Sequence, residues 1–146
     1  HIQKEIPTHY EGPGSSVSLL YGIIDRSTLE FRFTSAGHLA PHVWRQGKIL
    51  PLVESKSSPL GGASPSGFIE RSISLQPGDV LLLFTDGFQP VFDKWATGFT
   101  KHASDPMALR NLWMGKIDEF TEKKKLSDDI TVIQITIDPN ALFLAS

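Results

Sequence analysis

Apolar residues recur at every second position over Val17, Leu19, Tyr21 and Ile23, stop at Asp25-Arg26-Ser27-Thr28, and recur again over Leu29, Phe31 and Phe33. A period of two with a short polar break predicts a β-hairpin. His42-Val43-Trp44-Arg45 and Lys48-Ile49-Leu50 flank Gln46-Gly47 and predict a second, shorter hairpin. A stretch rich in Ser, Pro and Gly from Ser55 to Gly67 reads as a loop, and Ile69, Ile73 and Leu75 lead out of it. Gln76-Pro77-Gly78-Asp79 has Pro second and Gly third, the chemistry of a type II turn. The continuous apolar run Val80-Leu81-Leu82-Leu83-Phe84 then predicts a strand buried on both faces. Ile130 to Ile137 is rich in β-branched residues, with Ile133, Ile135 and Ile137 in alternation, and predicts a last strand.

The period changes between these last two strands. Asp105-Pro106 offers a cap and a first helical residue, and Leu109, Leu112, Trp113, Ile117 and Phe120 follow as an apolar stripe. Asp118, Glu119 and Glu122 are expected to face water, and Lys123-Lys124-Lys125 to close the helix where positive charge complements its dipole. The stripe reads as core packing. Five or more strands precede this first clear helix, which needs a sheet to cover, so the fold class is α+β with antiparallel sheets.

Composition narrows the class without choosing a function. A chain of 146 residues that is 40% hydrophobic and holds three Trp is expected to form one soluble domain with a genuine core. Its net charge of −2 and lack of a long basic run argue against a nucleic-acid partner. The absence of cysteine excludes disulfides and thiolate zinc sites and suits a reducing cytoplasm, the expected compartment. No stretch is long and apolar enough to span a membrane, and no secretory apolar region opens the chain. His1 reads as a tag remnant. The expected division is an N-terminal extension or artificial boundary over residues 1–16, a domain over 17–138, and a tail over 139–146.

Two acidic turns carry the candidate chemistry. Thr85-Asp86-Gly87 follows the fully apolar strand, and Asp128-Asp129-Ile130-Thr131 precedes the last one. Carboxylates presented at strand ends suit Mg²⁺ or Mn²⁺, which prefer oxygen ligands and keep several waters. Two such ions side by side would activate a water for hydrolysis. Each turn taken alone reads better as an ordinary loop. His38, beside Gly37, has the chemistry of an acid for a leaving serine oxygen, but a packed or hydrogen-bonded histidine is the better reading. Pro59-Leu60-Gly61-Gly62 lacks the Lys-Ser/Thr of a phosphate loop, and His9, His42 and His102 show no ligand spacing.

Six motifs stand in a telling order: Leu20-Tyr21-Gly22-Ile23-Ile24-Asp25, Ser35-Ala36-Gly37-His38, Ser58-Pro59-Leu60-Gly61, Pro77-Gly78-Asp79, Thr85-Asp86-Gly87 and Asp128-Asp129-Ile130-Thr131. In that order the chain resembles the PPM-type, metal-dependent protein serine/threonine phosphatases, in the bacterial branch of stage II sporulation protein E and the sigma-B regulator phosphatases. The resemblance runs from about Val17 to Ile137. It implies an antiparallel β-sandwich flanked by helices, with a binuclear Mn²⁺ or Mg²⁺ centre at one end of the sheets. Asp86 and Asp128 match family metal ligands, Asp128 being favoured over Asp129. The implied activity is hydrolysis of phosphoserine or phosphothreonine by a metal-activated water, without a phosphoenzyme. The implied partner is a phosphorylated regulator such as an anti-anti-sigma-like protein, and a second copy is a candidate cover for an uncovered apolar sheet face.

The departures from the family are specific. Family members carry a metal-binding Asp and an Asp-Gly pair well before the segment that Val17 begins here, whereas residues 1–16 hold no Asp and only Glu5 and Glu11 as acids. The family often places an acid two or three residues after the Asp-Gly turn, where this chain has Phe88-Gln89-Pro90. With two of the usual carboxylates, a cation is expected to keep more waters and bind more weakly. Three readings follow: the C-terminal part of a longer phosphatase, a catalytically inactive phosphatase-like domain that binds a signalling partner, or an unrelated β-rich module. Failure of Asp86 and Asp128 to converge in space would favour the last.

Overall fold

The structure, a computed structural model, describes residues 16–50, 52, 57–61, 67–99, 103, 105–123, 128–138 and 140. The chain divides into two compact units, one drawn from His1–Ala40 and Val53–Ser74, the other from Pro41–Leu52 and Leu75–Ser146. Each holds one antiparallel sheet, and the fold is α+β as expected.

In the first unit, β1 (Leu19–Ile24), β2 (Glu30–Ala36) and β5 (Arg71–Ser74) pair in the order β1-β2-β5. The turn between β1 and β2 is closed by Asp25, whose Oδ1 accepts from the Ser27 amide (2.8 Å), the Ser27 hydroxyl (2.6 Å) and the Thr28 amide (3.2 Å). These donors hold its carboxyl below the ordinary range. The register Gly22↔Phe33 and Ile24↔Phe31 places Gly22 and Ile24 on the face of the buried Phe31, Phe33 and Ser35. Leu19, Tyr21 and Ile23, whose alternation marks the strand in the sequence, lie on the opposite, exposed face. A Cβ at Gly22 would run into the Phe31 ring. The Ser55–Gly67 loop falls only partly within the described residues. There, Leu60 is buried and bridges Val17, and Pro59 fills the space beside Gly37 (φ 68°). Those contacts make Pro59-Leu60-Gly61 a packing segment.

In the second unit, β3 (His42–Arg45), β4 (Lys48–Leu50), β6 (Val80–Phe84) and β7 (Val132–Thr136) form a sheet in the order β4-β3-β6-β7. Gln46 (φ 48°) and Gly47 (φ 78°) both take the left-handed conformation that a two-residue I′ hairpin turn requires. The turn into β6 is type II as expected: Gly78 has φ 90° and the Asp79 amide donates to the Gln76 carbonyl at 3.0 Å. Asp79 itself is buried, taking Arg45 Nε at 2.8 Å, Arg45 Nη2 at 2.7 Å and the Gln76 amide at 2.7 Å. That pairing satisfies a carboxylate that would otherwise be costly to bury.

The helices require one correction. The sequence places the first helix at Asp105, yet β6 runs through a one-turn 3₁₀ helix (Asp86–Phe88) directly into α1 (Gln89–Phe99). Pro90, which looks like a breaker, is the second residue of α1, where its missing N–H has no intrahelical partner to lose. Phe88, Val91, Phe92 and Trp95 carry the helical spacing that betrays this segment. The later helix, α2 (Pro106–Glu122), begins as expected, with Asp105 accepting from the Ala108 amide at 2.8 Å. Leu109, Trp113 and Phe120 of its stripe are buried, and Trp113 stacks on Phe92 and meets Phe88 edge-on. Glu119 does not simply face water: it pairs with Lys116 (2.7 Å) and Lys123 (2.6 Å). Lys123 caps the helix, while Lys124 and Lys125 lie outside the described residues. No described helix is long and apolar enough to cross a membrane.

Candidate metal centre

Both acidic turns grow from the β6–β7 pair. The ladder of these strands ends at Phe84↔Val132, so Thr85-Asp86-Gly87 leaves β6 at the point where Asp128 to Thr131 enters β7. The Thr85 amide donates to the Thr131 carbonyl at 3.0 Å, and the Thr131 amide donates to Thr85 Oγ1 at 3.0 Å. Thr85 Oγ1 also donates to the Asp129 carbonyl at 3.2 Å.

Gly87 brings the turns into direct contact. A Cβ there would meet the Asp129 carbonyl oxygen and lie 3.1 Å from that of Asp128. Any larger residue would therefore push the two turns apart. The Asp86 and Asp128 turns thus converge, against the expectation for an unrelated module. β6 supplies a firm base, since Val80, Leu81, Leu82 and Phe84 are all buried, and Phe84 packs among His42, Phe88 and Phe92.

Both Asp side chains are exposed. Asp86 Oδ1 accepts from the Gly87 amide at 3.2 Å, and Asp128 Oδ1 accepts from the Asp129 amide at 2.8 Å. Asp129 is exposed beside them. The donors at this strand end are carboxylate and carbonyl oxygens, the set that hard divalent cations prefer. Among the described residues, no group of three or more His, Cys, Asp or Glu is placed to hold a metal ion. Asp86 and Asp128 each present the carboxylate oxygens that a hard cation would take, which is the donor chemistry that such an ion needs.

The other candidates find structural places. His38 is half-buried with Nδ1 3.0 Å from the Leu39 carbonyl, and its amide donates to Ser35 Oγ at 3.1 Å. His42 packs against Phe84 and Phe92. His9 and His102 lie outside the described residues. In the position after the Asp86-Gly87 turn where the family often has an acid, Gln89 instead donates from Nε2 to Asp93 Oδ1 at 2.6 Å. Sequence reading missed the role of Thr85. The hint was available in the two Thr residues, one at each turn, that face each other once the strands pair.

The family model of stage II sporulation protein E matches residues 1–138. The chain belongs to the stage II sporulation protein E family. Solved structures share its fold. The phosphatase domain of SpoIIE from Bacillus subtilis, from Mn-presoaked material, matches at a TM-score of 0.63 and 22% identity, covering 83% of this chain and 56% of that one. A structure of the PP2C phosphatase domain of the same protein with a fragment of its regulatory domain matches at 0.69 and 21%, covering 92% and 44%. The RsbU and RsbW domains of a Mycobacterium tuberculosis protein match at 0.70 and 20%, covering 94% and 45%. This chain spans about half the length of the solved chains it matches. The antiparallel α+β fold expected from the six motifs is thus that of a PP2C-type phosphatase domain.

Proposed function

We propose that this SpoIIE-family chain carries part of a metal-dependent protein serine/threonine phosphatase of bacterial signalling, with Asp86 and Asp128 as cation ligands. The observation that supports the reading most is the hydrogen-bonded convergence of the two acidic turns at Thr85, Thr131 and Asp129. Bound Mn²⁺ or Mg²⁺ supplies an acidified water and positive charge against the developing phosphate oxygens. The chain's own contribution is to hold the Asp86 and Asp128 turns against each other, through Thr85 and Gly87, at the ends of strands β6 and β7, with both residues exposed to a phosphoprotein. The substrate class is a phosphoserine or phosphothreonine on a regulatory protein, such as an anti-anti-sigma-like protein, and the setting is cytoplasmic.

A second reading has an observation in its favour. Gln89, bonded to Asp93 where the family often has an acid after the Asp-Gly turn, favours an inactive phosphatase-like domain that binds a signalling partner. Release of phosphate from a phosphoserine peptide, measured with and without Mn²⁺, separates the two. Mn²⁺-dependent release that Asp86→Asn abolishes supports the enzyme. Peptide binding without release supports the inactive domain.

A further inference from the structure

Thr85 makes three bonds across the gap between the acidic turns, and they differ in what they require. The bond from its amide to the Thr131 carbonyl is open to any residue except proline. The other two use the hydroxyl, which accepts from the Thr131 amide and donates to the Asp129 carbonyl. A hydroxyl has one proton to give and two lone pairs, so Ser or Thr alone serves both bonds at this reach. These bonds lie beyond the last strand pair, Phe84↔Val132, and continue the tie between the strands into the turn that carries Asp128.

We propose that Thr85 is a positioning residue whose hydroxyl holds the Asp128 turn in register with the Asp86 turn, so that the two carboxylates address one divalent-cation centre. The proposal rests on the reading of Asp86 and Asp128 as cation ligands. Gly87 completes the device, because its missing side chain lets the turns close onto the Asp128 and Asp129 carbonyls. Loss of the hydroxyl leaves the Asp129 carbonyl and the Thr131 amide to water, and the Asp128 turn gains freedom relative to Asp86.

The test is amide NMR on the labelled chain, reading Thr131 hydrogen exchange and Mn²⁺-induced line broadening. In the native chain, amides of residues 86–88 and 128–130 are expected to broaden together at one Mn²⁺ concentration. Thr85→Val keeps the shape and removes the hydroxyl. It is expected to speed Thr131 exchange and to raise the Mn²⁺ needed for joint broadening, each by about tenfold, the scale of one or two lost hydrogen bonds. Thr85→Ser is expected to restore both, while unchanged signals from Leu81 to Leu83 report an intact strand. Native exchange and native joint broadening in Thr85→Val would overturn the role of Thr85 alone. No broadening of either turn in the native chain would overturn the cation reading, and with it the purpose assigned to Thr85.

Discussion

Strands β6 and β1 are both apolar runs, yet one disappears into the core and the other shows half of its side chains to solvent. Leu81, in the middle of β6, is 0% exposed, while Tyr21, in the middle of β1, is 60% exposed. Composition does not separate them; the cover on their faces does. β6 is central between β3 and β7 and buried on both faces, whereas β1 is an edge strand with one face open, the face on which Arg32 of the central β2 is also exposed. The charges follow the same contrast. Asp79 is sealed at the start of β6 with Arg45, whereas Glu30 and Arg32 of β2 sit 3.9 Å apart on the surface. The acidic turn that holds Asp86 is thus mounted on the firmer of the two strands.

The largest effect that sharpens this contrast is expected from Asp79→Ala. Removing the buried Asp79 takes three bonds from the partly exposed Arg45 and the Gln76 amide, a loss of about 3 kcal/mol or more. Glu30→Ala, breaking the exposed pair, is expected to cost less than about 1 kcal/mol. Urea unfolding of both variants measures the gap, and equal losses would erase the distinction between the sheets.

Next in size, Leu81→Ala is expected to lose about 2–5 kcal/mol through lost burial and a residual cavity. Tyr21→Ser, on the exposed face of β1, should stay within about 0.5 kcal/mol. A Tyr21→Ser loss as large as that of Leu81→Ala would mean that the outer face of β1 is buried in solution, and light scattering would then identify a second copy as the cover.

The smallest effect concerns an exposed ion pair on α2. Hydrogen bonds from Lys116 and Lys123 hold the Glu119 carboxyl down to about 2, against 4.5 for a free side chain. Because the folded value is the lower one, its stabilising contribution is present above about pH 4.5 and fades as pH falls toward 2. An NMR titration should find the Glu119 midpoint near its depressed value and moved up toward 4.5 in Lys116→Met. An unchanged midpoint in that variant would remove Lys116 as the main cause.

Much of this architecture is legible in residue order, and the failures have physical causes. The hairpin turns, the type II turn before β6 and the Asp105 cap are local: each is fixed by residues within a few positions of one another. Helix α1 was hidden because Pro90 reads as a stop unless the helix is known to begin one residue earlier. The exposed face of β1 was hidden because alternation gives a strand's period but not which face meets the core; Gly22 lies on the face toward Phe31 and Phe33, so the unbroken apolar series lies on the other. Asp86 and Asp128 were nameable from their turns, while the hydroxyl bridge of Thr85 depends on a pairing between residues 85 and 131 that no local pattern encodes.

The central claim, that Asp86 and Asp128 serve one cation centre, is tested most directly by Mn²⁺ calorimetry on the native chain, Asp86→Asn, Asp128→Asn and the double variant. The account predicts binding in the native chain that either single change weakens by about tenfold or more, with the double variant little worse than the singles, as expected for residues acting on one centre. Native-like binding in either single variant, or no binding to the native chain at millimolar Mn²⁺, would contradict it.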